Sequence, residues 1–131
     1  YLLVKAFKYK SLYPLMPFRY NFGKRKITFA KVLELLDATG AKTIVETGTS
    51  RRGLRGAKGD GASTMVFGIW AKLNGAFMHS VDISEESVKE ARQAVEREGL
   101  NDFVKVHLSD SLLFLKDFEN PVDFLYLDIP I

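Results

Sequence analysis

The sequence predicts an α/β protein: an open parallel sheet with helices on both faces. Three observations carry this. Short, largely apolar runs near 43–46, 77–81, 103–108 and 122–127 alternate with longer segments of helical periodicity. The first run is short and apolar except at its end, as expected of a central parallel strand buried on both faces. An acid also stands at or just past the C-terminal end of each run, at Glu46, Asp82, Asp110 and Asp128, the edge at which open α/β sheets bind ligands.

The elements follow in order. Thr28 is the expected N-cap of a helix over Phe29–Thr39, whose Phe29, Val32, Leu33, Leu35 and Leu36 recur at helical spacing before Gly40 stops it. The first strand is Thr43-Ile44-Val45-Glu46. A glycine-rich stretch from Thr47 to Gly61 leads into a helix over about Ala62–Asn74, apolar around most of its circumference and closed by Gly75. The second strand ends at Asp82. Ser84 caps the next helix, with Glu85 and Glu86 in its first turn, a buried stripe of Val88, Ala91, Ala94 and Val95, and Gly99 at its end. The third strand spans about Phe103–Leu108. Ser109-Asp110-Ser111 turns into a short helix over Leu112–Phe118, Asn120-Pro121 breaks it, and the fourth strand spans Val122–Leu127. This alternation demands right-handed crossovers between parallel strands.

A length of 131 residues sets one domain, 27–131, behind an N-terminal arm, 1–26. The arm holds seven basic residues and no acid, so it contributes +7 to a chain whose formal net charge is +3. Its basic residues interleave with aromatics, a pattern that suits nucleic acid or an anionic surface. Pro14 and Pro17 break any long amphipathic helix there, and packing of the aromatics on the domain with solvated lysines is the preferred reading. With no cysteine there is neither a disulfide framework nor a thiolate metal site, which fits a cytoplasmic protein. No apolar stretch approaches the ~20 residues of a membrane span. His79 and His107 each fall inside a strand and read as sheet-face or core residues rather than catalytic bases, and Trp70 reads as core.

The glycine-rich turn followed by an acid at the next strand tip is the pattern of a nucleoside site, where glycines allow close backbone approach and the acid takes ribose hydroxyls. Asp110 alone also reads as a helix cap. The dinucleotide fingerprint fails, because Thr64 stands where the last glycine after Gly59-Asp60-Gly61 belongs. The P-loop pattern fails too, because Leu54 follows Gly53 where lysine is required. A glycine turn with acids and no phosphate cradle suits a ligand lacking a pyrophosphate.

Val45-Glu46-Thr47-Gly48-Thr49-Ser50, then Gly61-Ala62-Ser63-Thr64, then Val81-Asp82-Ile83-Ser84, resembles the class I S-adenosylmethionine-dependent methyltransferases, closest to the small-molecule O-methyltransferase-like branch. The resemblance covers roughly Thr28–Asp128 and implies a Rossmann-like sheet. It implies that Glu46, Thr47, Gly48, Thr49, Ser50, Gly61 and Ser63 hold the methionine part of S-adenosylmethionine. Asp82, with Ile83 beside it, takes the ribose side, and Ser109 and Asp110 the adenine edge. Asp128 stands near the methyl group and the acceptor as the catalytic residue. In the metal-dependent branch, an acid in the place of Asp128 binds a divalent ion that lowers the pKa of the acceptor hydroxyl. The other ligands of that branch follow strand five, which is absent here.

The family sheet has seven strands in the order 3-2-1-4-5-7-6, of which this chain supplies strands one to four. That makes it the N-terminal part of a longer domain, or a form in which a partner or second copy covers the strand-four edge. The segment 51–60, with Arg51, Arg52, Arg55 and Lys58, reads as a surface loop in preference to a lid or a contact for an anionic acceptor. The leading function is methylation of oxygen on a small molecule. The alternatives are a NAD(P)-dependent oxidoreductase and a non-catalytic nucleoside-binding fragment whose arm docks a partner.

Overall fold

The computed structural model describes residues 26–49 and 63–127. The arm, the glycine-rich segment from Ser50 to Ala62 and the tail from Asp128 lie outside the described residues, as do the expectations attached to them. The described elements are α1 (Lys26–Thr39), β1 (Thr43–Thr47), α2 (Ser63–Asn74), β2 (Phe77–Asp82), α3 (Glu85–Arg97), β3 (Val104–Leu108), α4 (Ser111–Asp117) and β4 (Phe124–Leu127).

The strands form one parallel sheet in the order β3-β2-β1-β4. In register, Glu46 lies opposite Ser80 on β2 and Tyr126 on β4, and Val81 lies opposite His107 on β3. The alternation of strand side chains divides the sheet faces. Ile44, Met78, Val104 and Val106 join residues of α1, α2 and α3 in the main core. The other face carries His79 and His107, over which α4 lays Phe114 and Phe118. Helices on both faces, as predicted, are thus observed.

Phe67 of α2 is the hub of the core: it meets Phe29 of α1, and Phe124 and Tyr126 of β4, edge to face, with ring centroids 5.8, 5.8 and 4.9 Å apart. Gly68 marks the closest approach of α2 to the sheet side, since a Cβ there falls 2.8 Å from Val104 Cγ2 and 3.1 Å from Leu100 Cδ1. Val104 is β-branched and fixed in a strand, so it yields little. Gly68→Ala is therefore expected to destabilise by about 1–2 kcal/mol, overpacking outweighing alanine's better helix propensity. Chemical denaturation checks this, and a stabilised variant would contradict the close approach.

Two terminal bonds tie the sheet together. Asp123 Oδ2 accepts from the backbone N–H groups of Lys42 (2.8 Å) and Thr43 (3.0 Å), fastening the start of β1 to the segment before β4. Those two donors hold the Asp123 carboxyl below its ordinary pKa. At the β3 edge, Arg92 of α3 donates through Nε (3.2 Å) and Nη2 (2.9 Å) to the carbonyl of Val106, placing a cation over the outer strand, a common protection against edge pairing.

Two sequence expectations need correction. Helix α1 begins at Lys26, so Thr28 sits inside the first turn and is not its N-cap. The apolar stripe marks only where burial starts, and the helix extends a turn before it. Leu35, expected on that stripe, is exposed, whereas Phe29, Leu33 and Leu36 are buried. The cap at Ser84 is as expected: its side chain accepts from Ser87 N, 3.2 Å away.

Candidate functional site

The C-terminal tips of β1, β2 and β3 meet around Asp82. At the end of β1 the chain turns through Gly48, whose φ of +86° is a conformation that favours glycine. The Gly48 N–H donates to Val81 O (2.8 Å) and the Thr49 N–H to Asp82 Oδ2 (3.2 Å). The other carboxylate oxygen, Oδ1, accepts from Ser84 N (2.8 Å), and the Asp82 carbonyl accepts from Ser109 N (3.0 Å). Asp82 therefore joins the turn after β1, its own turn and the tip of β3. The residue is only half-buried, and each carboxylate oxygen retains capacity for a further donor.

Glu46 plays a different part. It lies one residue inside β1 and is fully buried. Its Oε2 accepts from Ser63 Oγ, and its Oε1 accepts from Thr64 Oγ1 and from Ser80 Oγ, the last at 2.7 Å. Ser63 and Thr64 open α2, so the carboxylate pins the N-terminus of that helix to the strand tips, with the positive end of its dipole toward them. A buried carboxylate requires such donors. Sequence reasoning named Glu46 and Ser63 but missed Ser80. The available signal was a serine inside an apolar strand, a buried polar group that needs a partner.

Asp110 is the N-cap of α4: its Oδ1 accepts from Leu112 N (2.9 Å) and Leu113 N (3.2 Å). Ser109 Oγ donates to the Asp110 carbonyl, 3.1 Å away. Beside these polar groups, Ile83 is 72% exposed and Leu108 50% exposed. Large apolar side chains held in solvent at a strand edge offer flat contact to a planar ligand. Sequence reasoning named Ile83 and not Leu108.

The structure thus brings together Glu46 with Ser63, and Thr49, Gly48, Asp82 and Ser109 with one another. Ile83 and Asp110 flank them. Ser50, Gly61 and Asp128 lie outside the described residues. Thr47 Oγ1 and Thr49 Oγ1 are buried and accept or donate no hydrogen bond among the described residues. Together with Asp82 and the exposed Ile83, they fit a nucleoside carrying a polar tail. No group of three or more His, Cys, Asp or Glu among the described residues could hold a metal ion. No described helix is long and apolar enough to cross a membrane.

A family model described as a methyltransferase domain matches residues 58–131. No curated protein matches the chain. Among solved structures, the O-methyltransferase from Bacillus cereus in complex with SAH is 22% identical, with a TM-score of 0.58, over 88% of this chain and 51% of that one. A delta-N METTL16 MTase domain is 16% identical, with a TM-score of 0.58, over 79% of this chain and 45% of that one. A human methyltransferase 10 domain containing protein is 15% identical, with a TM-score of 0.56, over 78% of this chain and 47% of that one. At these identities the likeness is one of fold, and the chain spans about half the length of each of the three. The family match covers more than half of the sequence, and the sheet and its glycine turn agree with it. The chain belongs to the methyltransferase domain family, as the N-terminal part of a class I fold.

Proposed function

We propose that the chain is the cofactor-binding part of an S-adenosylmethionine-dependent methyltransferase that methylates oxygen on a small molecule. The observation that carries the reading is Asp82, a half-buried carboxylate at the tip of β2 whose two oxygens already brace the glycine turn and the turn before α3. A carboxylate held this way is preorganised to accept two vicinal ribose hydroxyls. Bound there, S-adenosylmethionine would supply an activated methyl group: an acceptor oxygen would form the new C–O bond in line as the C–S bond breaks, releasing S-adenosylhomocysteine and the hydroxyl proton.

The residues of this chain bind and orient. Glu46 fixes the start of α2 and the floor of the turn. The hydroxyls of Thr47 and Thr49, without partners among the described residues, would serve the polar methionine end, joined in this reading by Ser50, Gly61 and Ser63. Ile83 and Leu108 cover the base, and Ser109 and Asp110 lie along its edge. Asp128 is proposed to stand near the acceptor. The ligand is cationic at sulfur and at the amino group, which suits carboxylates and not a phosphate cradle. Positioning and electrostatics carry such a displacement. A divalent ion at Asp128 has no support among the described residues.

The likeness to the B. cereus O-methyltransferase, solved in complex with SAH, supports the cofactor and an oxygen acceptor. A second reading is a nucleoside-binding part without turnover of its own. Incubation with methyl-tritiated S-adenosylmethionine and phenolic or catecholic acceptors, with and without magnesium, separates the two. Label in an acceptor supports the transferase. Saturable cofactor binding without label in any acceptor supports the second reading.

A further inference from the structure

Helix α4 has only seven residues, none of them buried, and its first turn holds Leu112 and Leu113 at 79% and 58% exposure. What fastens it is a cluster on the sheet face beneath. His79 of β2 and His107 of β3 share one hydrogen bond, Nδ1 to Nε2 at 2.9 Å, with their rings stacked at 26°. Phe114 lies 4.7 Å from the His107 ring and Phe118 lies 5.0 Å from the His79 ring, with Phe77 closing the side at 4.9 Å. We propose that the His79–His107 pair is an acid-sensitive fastening that holds α4 on the sheet and releases it when the imidazoles take up protons.

In the shared bond one ring donates and the other accepts, so both facing nitrogens cannot carry protons while the contact stands. A charge placed there is partly desolvated under three phenylalanine rings. The charged groups around it are also unfavourable. Lys105 faces the pair from β3, Arg92 of α3 adds its field from the β3 edge, and β1 contributes only the uncharged Thr43, Val45 and Thr47 to this face. The charged residues of α4, Lys116 and Asp117, are exposed. Burial first, then Lys105, lowers the pKa of His79, and burial, then His79, Lys105 and Arg92, pushes His107 down to about 4. The sign follows directly. With both folded values below the ordinary 6.5, the fastening is complete above pH 6.5 and is lost as pH falls toward the folded values.

Amide exchange of residues 112–118 tests this without any ligand. Between pH 6.5 and 5.5, protection factors corrected for intrinsic exchange are expected to fall by roughly tenfold or more, since each imidazole freed by opening binds a proton the closed form excludes. Protection in β1 and β2 stays level over that interval. The double substitution His79→Phe with His107→Phe keeps the aromatic contacts and removes the titration, so its α4 protection is expected to be level too. Unchanged protection in the parent chain, or an equal fall in the double variant, overturns the proposal. Should that variant fail to fold, the ring resonances of the parent decide. The two histidines are expected to titrate below 6.5 together with the Phe114 and Phe118 rings, and titration at 6.5 with silent phenylalanines overturns it. Release of α4 also moves Asp110, so a matching drop in S-adenosylhomocysteine affinity is expected. That arm alone rests on the proposed cofactor, and its failure is distinguishable because exchange is read on the free protein.

Discussion

Glu46→Ala is expected to destabilise the chain on the order of 4 kcal/mol and to abolish cofactor binding. The carboxylate is fully buried and accepts from Ser63, Thr64 and Ser80. Its removal leaves those hydroxyls to find new partners in the interior and opens a cavity among them. For a domain of this size, that loss is a fall of roughly 15 °C or more in Tm. Glu46→Gln separates packing from charge. The amide oxygen can still accept from Thr64 and Ser80, and the amide nitrogen can donate to Ser63 Oγ, so this variant is expected to fold with a loss of about 1 kcal/mol. A Tm for Glu46→Ala within a few degrees of the parent contradicts the clamp between β1, β2 and α2.

Asp82→Ala is expected to weaken S-adenosylhomocysteine binding about a hundredfold or more while leaving the fold in place. Charge-assisted hydrogen bonds are each worth about 1.5–3 kcal/mol, and the substitution removes the acceptor for two ribose hydroxyls. It also frees Thr49 N, on a buried residue, and Ser84 N, on a half-buried one, so a modest loss of stability accompanies the loss of affinity. Asp82→Asn retains the shape and an acceptor, and is expected to lose about tenfold. Equilibrium titration alongside circular dichroism checks both variants. An affinity for Asp82→Ala within twofold of the parent removes Asp82 from the nucleoside site.

The contrast between Glu46 and Asp82 shows how far the sequence could be read. Both are acids at strand ends, and sequence alone places both at one ligand crevice. The structure separates them by a single residue of register. Asp82 is the last residue of β2 and stays half-exposed, whereas Glu46 lies one residue inside β1, opposite Ser80, and points into the layer beneath α2. Burial of that kind depends on which helix covers which face, and no local pattern states it. Strand and helix order was legible because apolar periodicity is local. The caps at Ser84 and Asp110 were legible because the side chain bonds its own neighbourhood. The His79–His107 bond was not, because it joins residues on adjacent strands 28 positions apart. Each histidine alone reads as a sheet-face or core residue, and only the parallel register stacks the two. The same limit hid Asp123, whose backbone partners Lys42 and Thr43 lie about 80 residues earlier.

The central claim is that the tips of β1, β2 and β3 form a site for S-adenosylmethionine. Isothermal titration with S-adenosylhomocysteine, with NAD in parallel, tests it most directly. The account predicts saturable one-to-one binding of S-adenosylhomocysteine, lost in Asp82→Ala, and no binding of NAD. Binding of NAD alone, or of neither ligand to the folded chain, would contradict it.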